Sequence, residues 1–223
     1  MSLPLRAVLF DLDGTLLDTA PDMVGALNGL RREQGLAALP YEQLRVVVSH
    51  GAARLVKCGF PDAAPESAAV LQRRFLEIYR GALSQGTRLF PGMAEVLDSL
   101  AGRGLKAGIV TNKPAWLTDP LLEQLGLRAR FASVVSGDTV TERKPHPLPL
   151  LHAAKLAGAA SAECVYVGDA ERDVQAAHAA GMPVLVANYG YLQEGEDSAA
   201  WGAEGYLERA LDLLGWLDAR SHA

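Results

Sequence analysis

Two cysteines in 223 residues, Cys58 and Cys164, are too few to staple a fold with disulfides. They read as reduced thiols. No stretch approaches the ~18 consecutive apolar residues of a membrane span. The first apolar run is short and enters an acidic motif directly, without the basic-then-apolar layout of a signal peptide. The expectation is therefore a cytoplasmic protein with no membrane partner. A basic excess is also missing: the formal net charge is −5, which disfavours nucleic acid as a partner. The histidines at 50, 146, 152, 178 and 222 show no metal-ligand spacing and read as structural or surface residues. There is no internal repeat and no low-complexity segment.

What is present starts at Ala7-Val8-Leu9-Phe10-Asp11-Leu12-Asp13-Gly14-Thr15-Leu16. An apolar run of strand length stops at two carboxylates two residues apart, as a buried strand emerging at the mouth of a sheet does. Asp18-Thr19-Ala20-Pro21-Asp22 then reads as a helix start, with polar caps and an early proline. Up to about residue 86 the pattern is helical throughout. One helix is expected over 20–34, a second from Pro40 through Leu44, Val47 and Val48 toward Val56, and a third over 65–85. The third carries Val70, Leu71, Phe75, Ile78, Tyr79 and Leu83 on one buried face.

From Thr87 strands and helices alternate. Strands are expected at 106–111, 132–136, 164–167 and, last, 184–187. Helices are expected at 94–101, from Lys113-Pro114, at 147–157, 171–180 and 207–217. Alternation of this kind makes right-handed βαβ units and a parallel sheet covered on both faces. The expected fold is an α/β sandwich. Residues 1–17 and 87–223 form its core, and 18–86 form a small helical cap inserted after the first strand.

In open parallel sheets, ligands bind beyond the carboxyl ends of the strands. Asp11 and Asp13 follow the first strand, Thr111-Asn112 the second, Asp138 and Lys144 the third, and Gly168-Asp169 with Asp173 the fourth. Four segments thus bring carboxylates, a hydroxyl and an ammonium to one rim. Each has a plainer alternative: Thr111-Asn112 could cap the helix near Pro114, Lys144 could be a solvated loop lysine, and Asp169 could be a helix cap. The prolines of Pro145-His146-Pro147 stiffen the loop that presents Lys144.

Asp11, Asp169 and Asp173 make an oxygen-rich site for a hard cation, Mg²⁺ above all. An EF-hand fails, because counting from Asp11 its obligatory glycine falls on Leu16. A cation would shield Asp11 from an incoming phosphate, and Asp13 could donate a proton to a leaving alkoxide and take one from water. Thr111 can donate to a phosphoryl oxygen, and Lys144 can offset accumulating charge. Phosphoryl transfer through an aspartyl phosphate is the implied chemistry. The first strand leads to Asp-Leu-Asp-Gly-Thr, not to G-x-G-x-x-G, and no P-loop occurs, which removes the dinucleotide and P-loop alternatives.

Asp11-Leu12-Asp13-Gly14-Thr15, Val110-Thr111-Asn112, Lys144-Pro145 and Gly168-Asp169-Ala170-Glu171-Arg172-Asp173 together resemble the four motifs of the haloacid dehalogenase superfamily of phosphatases. The resemblance implies Asp11 as nucleophile and Asp13 as acid/base. It implies Mg²⁺ on the side chains of Asp11 and Asp169 and the backbone carbonyl of Asp13, with Asp173 assisting directly or through water. A carboxylate at Asp13 disfavours the dehalogenase and phosphonate-cleaving branches. Val48-Ser49-His50-Gly51-Ala52, Thr111-Asn112-Lys113-Pro114, Tyr189-Gly190-Tyr191 and Trp201-Gly202-Ala203 are similar to the phosphoglycolate phosphatase group and, more narrowly, to N-acetylmuramic acid 6-phosphate phosphatases of cell-wall recycling.

The implied partner is a small phosphorylated substrate carrying a carboxylate. Ser49, His50, Gly51, Arg54 and Asn112 are its candidate contacts, with Arg54 suited to the carboxylate. A monomer or weak dimer is expected. A sugar-phosphate mutase using the same aspartates, and a binding module with a vestigial site, are the competing readings.

Overall fold

The computed structural model describes residues 4–193 and 195–221; His222 lies outside them. At its centre is β1 (Ala7–Phe10), whose four side chains are all buried. Val8 and Phe10 enter the core on one face of the sheet, and Ala7 and Leu9 enter the core on the other. This is the period of two that a strand covered on both sides must have. Each of the larger side chains contributes about 1.5–3 kcal/mol by leaving water.

The remaining strands are β2 (Leu17–Asp18), β3 (Arg88–Leu89), β4 (Lys106–Val110), β5 (Ser133–Val135), β6 (Cys164–Gly168), β7 (Val184–Ala187) and β8 (Gly205–Leu207). Among the described residues, six of the eight form one sheet in the order β5-β4-β1-β6-β7-β8. Every neighbouring pair in it is parallel. All six carboxyl ends therefore face one rim, with β1 between β4 and β6 near its middle. The expected α/β sandwich is the observed fold.

The helices are α1 (Ala20–Glu33), α2 (Tyr41–Arg45), α3 (Gly51–Gly59), α4 (Pro65–Arg80), α5 (Met93–Gly102), α6 (Ala115–Gln124), α7 (Leu148–Leu156), α8 (Glu171–Ala179) and α9 (Asp212–Ser221). α5, α6 and α9 pack on the Val8/Phe10 face and α7 and α8 on the Ala7/Leu9 face. Among the described residues no helix is long and apolar enough to cross a membrane.

α1 to α4 share one apolar cluster through Leu27, Leu30, Leu44, Leu55, Phe75 and Tyr79, and it is continuous with the core beside the sheet. Where the chain enters and leaves this helical block, β2 and β3 pair as a short antiparallel ribbon. Asp22 closes the exit by accepting from Gly86 N at 2.7 Å, Thr87 N at 2.8 Å and Thr87 Oγ1 at 2.7 Å.

Several expectations fail locally, each for an identifiable reason. The single helix expected from Pro40 toward Val56 is broken into α2, a 3₁₀ turn at Val48–His50, and α3. The β-branched run Val46-Val47-Val48 favours helix poorly, and Gly51 adopts φ +81° at the break. Val70 is 55% exposed. At ~100° per residue it lies roughly 140° around α4 from Phe75, off the buried stripe. The last strand is β8, not β7. Because β8 takes Leu207, the terminal helix starts only at Asp212, which accepts from Arg209 N at 2.9 Å.

Candidate active site

Asp11 lies one residue past β1, and its N–H donates to Val167 O at 2.8 Å, extending the β1–β6 ladder into the rim. Its Oδ1 accepts from Leu12 N at 2.7 Å and stands 2.9 Å from Lys144 Nζ. Lys144 has no exposed side-chain surface. Its ammonium is shared among Asp11, Asp173 Oδ1 at 2.8 Å, Val110 O at 2.9 Å and Tyr166 Oη at 2.7 Å. Lys144 is thus no solvated loop lysine, and the peptide that follows it, to Pro145, is cis.

Asn112 is expected to touch substrate, but both ends of its amide hold the Lys144 backbone. Nδ2 donates to Lys144 O at 2.9 Å, and Oδ1 accepts from Lys144 N at 3.1 Å. Thr111 Oγ1 accepts from Lys113 N at 3.1 Å, a local turn-forming bond, and the residue also lines the cavity. Its hydroxyl proton remains available to a ligand.

Asp169 Oδ2 accepts from Ser49 Oγ at 2.6 Å and from Tyr191 N at 3.0 Å. Its Oδ1 is buried without a hydrogen-bond partner. One ligand atom each from Asp11, Asp169 and Asp173 lie within 4.8 Å of one another. Burial, then the charges of Asp11 and Asp173, push Asp169 up to about 7. Burial likewise raises Asp11, against the pull of Lys144.

An all-carboxylate donor set with an orphaned buried oxygen fits a hard divalent cation. Asp173 is the least free of the three. Its Oδ1 meets Lys144, and its Oδ2 accepts from Ala170 N at 3.1 Å, closing the first turn of α8. Gly14 is required beside this cluster. Its φ is +86°, and a Cβ there would collide with Asp169 Oδ2 and Ser49 Oγ.

Asp13 has partners of its own. Its Oδ1 accepts from Thr19 Oγ1 at 2.7 Å and pairs with Lys113 Nζ at 2.7 Å. Burial would lower the Lys113 pKa, but Asp13 and Tyr79 outweigh it and the group stays above its ordinary value.

A cavity of about 560 Å³ opens between the rim and the helical block. Asp11, Asp13, Thr111, Asn112, Ser49, His50 and Gly51 line it, with Lys113, Arg143 and Arg172 among the cations and Leu76, Trp116 and Leu117 among the apolar residues. Arg54 is not in that lining. It precedes the buried Leu55 on α3 and is exposed, and its charge reaches the cavity-lining His50. Partial shielding, then the Arg172 guanidinium, holds the His50 imidazole below its ordinary pKa.

Sequence reasoning missed Lys113 and Arg172 as site residues. Arg172 donates to Ser49 O at 2.7 Å and lies 3.8 Å from Asp11 Oδ2, tying the surroundings of Asp11 to the helical block. Its place inside the Gly168–Asp173 motif was the available signal. Tyr189-Gly190-Tyr191, noted only for similarity, braces the same junction. Tyr189 Oη donates to Thr15 O at 3.0 Å, and Tyr191 Oη donates to Asp18 Oδ1 at 2.6 Å.

Residues 8–187 match the family model of haloacid dehalogenase-like hydrolases. The chain belongs to that family. Within it, this haloacid dehalogenase-like hydrolase is 48% identical to a phosphoglycolate phosphatase of Xanthomonas campestris pv. campestris, over 93% of this chain and 94% of that protein. It is 38% identical to an N-acetylmuramic acid 6-phosphate phosphatase of Pseudomonas putida, over 96% and 97% respectively. Among solved structures it matches a predicted phosphoglycolate phosphatase from Haemophilus somnus 129pt. That match has a TM-score of 0.85 and 26% identity, over 95% of this chain and 97% of that one. The chain is an enzyme of this hydrolase family, similar along almost its whole length to phosphatases.

Proposed function

We propose that this hydrolase is a Mg²⁺-dependent phosphomonoesterase working through an aspartyl phosphate on Asp11, with N-acetylmuramic acid 6-phosphate as substrate. The observation that carries the chemistry is the pairing of Asp11, beside Lys144 and the acidic cluster, with Asp13 on the wall of the same cavity. Asp11 attacks phosphorus and the ester oxygen leaves. Asp13 protonates that oxygen, then takes a proton from the water that cleaves the acyl phosphate. Thr111 donates to a phosphoryl oxygen, and Lys144 offsets the charge shared by phosphate and nucleophile. Asp11, Asp169 and the carbonyl of Asp13 would hold the Mg²⁺, with Asp173 holding Lys144 and assisting at the ion directly or through water. When bound, the ion supplies charge neutralisation that lets an anionic carboxylate approach an anionic phosphate.

Residues 18–86 serve as the cap in this reading, and Ser49, His50 and Gly51 meet the substrate from it. The cavity volume and the apolar residues in its lining favour a substituted sugar phosphate over a two-carbon ester. Phosphoglycolate is the second reading, favoured by the name of the 48% identical Xanthomonas relative. Comparing kcat/KM for the two esters, with free phosphate as the readout, decides between them. Isomerised sugar phosphate without free phosphate would instead indicate a mutase. Asp11→Asn should cut turnover by on the order of 10⁴-fold or more while leaving the fold intact. Appreciable activity in that variant sinks the covalent mechanism.

A further inference from the structure

Lys113 takes no part in the chemistry just described, yet it is a buried cation on the wall of the cavity. Its side chain is 4% exposed, and its Nζ lies 2.7 Å from Asp13 Oδ1. From the helical block, the ring of Tyr79 faces it at 4.8 Å. Burying an ammonium is costly unless anions answer it, and an ammonium carries three donors in fixed supply.

We propose that Lys113 reads a carboxylate on the leaving group and so sets the preference for acidic phosphate esters. This inference rests on the proposed function. If Asp11 attacks phosphorus and Asp13 protonates the departing oxygen, the phosphoryl group lies toward Asp11 and the leaving group toward Asp13. A cation against Asp13 therefore faces the leaving group and not the phosphate.

The other cavity cations have different engagements. Arg143 is exposed, and its Nε donates to Gly137 O at 2.6 Å. Unlike the buried Lys113, it would meet a carboxylate in solvent, where the contact is weaker. Arg172 is bound to Ser49 O and stands on the Asp11 side. Arg54, the arginine expected to serve, is exposed and outside the lining. A carboxylate beyond the ester oxygen thus meets Lys113, in surroundings that exclude bulk water and strengthen the contact. The relatives named for phosphoglycolate and N-acetylmuramic acid 6-phosphate both act, by those names, on acids.

The test uses matched esters: N-acetylmuramic acid 6-phosphate against N-acetylglucosamine 6-phosphate, which lacks the lactyl acid, and phosphoglycolate against ethyl phosphate. Phosphate release with Mg²⁺ is measured for wild type, K113M and K113R. K113M should slow all esters, because Asp13 loses its partner. Its acid-to-neutral ratio of kcat/KM, in the pair containing the better substrate, should also fall by about tenfold to a hundredfold, the range of a charge-assisted hydrogen bond. K113R should restore most of that ratio. Should K113M melt below the assay temperature, K113Q carries the same comparison.

Equal losses on both members of the pair would mean that Lys113 only holds Asp13, and the inference falls. A wild-type enzyme that cleaves neutral and acidic esters equally well overturns the inference while leaving the phosphatase reading intact. No release from any ester overturns the reading beneath it.

Discussion

The Nζ of Lys144 stands 2.9 Å from Oδ1 of Asp11 with no solvent exposure on the lysine side chain. The same nitrogen is 2.8 Å from Asp173 Oδ1. One ammonium therefore answers two carboxylates of a three-carboxylate cluster, and Asn112 grips its backbone from the neighbouring loop.

Removing that ammonium leaves buried like charges facing each other. Breaking one side of a buried ion pair costs about 3–5 kcal/mol, and Lys144→Met should destabilise the metal-free protein by that order in urea titrations. Added Mg²⁺ should recover part of the loss, since a cation bound only by the native state stabilises it by mass action. A cost below about 1 kcal/mol without metal would show that the carboxylates do not depend on Lys144 for their proximity.

The cluster also sets a pH dependence, and its sign follows from Asp169. Burial and the charges of Asp11 and Asp173 raise this group from an ordinary 3.8 to about 7 in the folded chain. Between those values the folded state keeps a proton that the unfolded state has released. The stabilisation is fully present below the unfolded value and is lost as pH rises through the folded one. In EDTA, Tm should therefore decline from pH 5.5 to pH 8, with a contribution on the order of a few kcal/mol. With saturating Mg²⁺ the trend should reverse, because the ion needs the deprotonated carboxylates. A rising Tm across that range in EDTA would contradict the clustering of charge.

Much of the site is legible in the sequence because each part announces itself locally. The apolar run of β1 stops at Asp11, and the runs of β4 and β6 stop at Thr111 and Asp169. The rule that ligands gather beyond parallel strand ends then assembles them. Lys113 was not legible as a site residue, because its partner Asp13 lies 100 positions away and the residue reads locally as a helix start. Arg54 shows the complementary limit, since it is absent from the cavity lining. Its type suits a carboxylate, but the phase of α3 depends on where the turn at Gly51 falls, and composition does not set that phase. β8 escaped notice because three residues at a sheet edge, of which Leu207 alone is buried, carry too little pattern to register.

Ser49 offers the most direct test of how the helical block speaks to the rim. Its Oγ donates to Asp169 Oδ2 at 2.6 Å, and its carbonyl receives Arg172 at 2.7 Å. The hydroxyl thus turns Asp169 so that Oδ1 is left for a cation. Tyr191 N still donates to Oδ2 in Ser49→Ala, so the carboxylate stays in place but loses one of two constraints on its rotation. Global stability should change by only about 1 kcal/mol, since water can replace a half-buried partner. The Mg²⁺ concentration for half-maximal activity should rise about 10- to 100-fold, the usual cost of losing a group that orients a ligand. Ser49→Thr, which keeps the hydroxyl, should lie near wild type. If Ser49→Ala leaves the Mg²⁺ midpoint unchanged and lowers kcat alone, Ser49 acts on closure of the helical block and not on the orientation of Asp169.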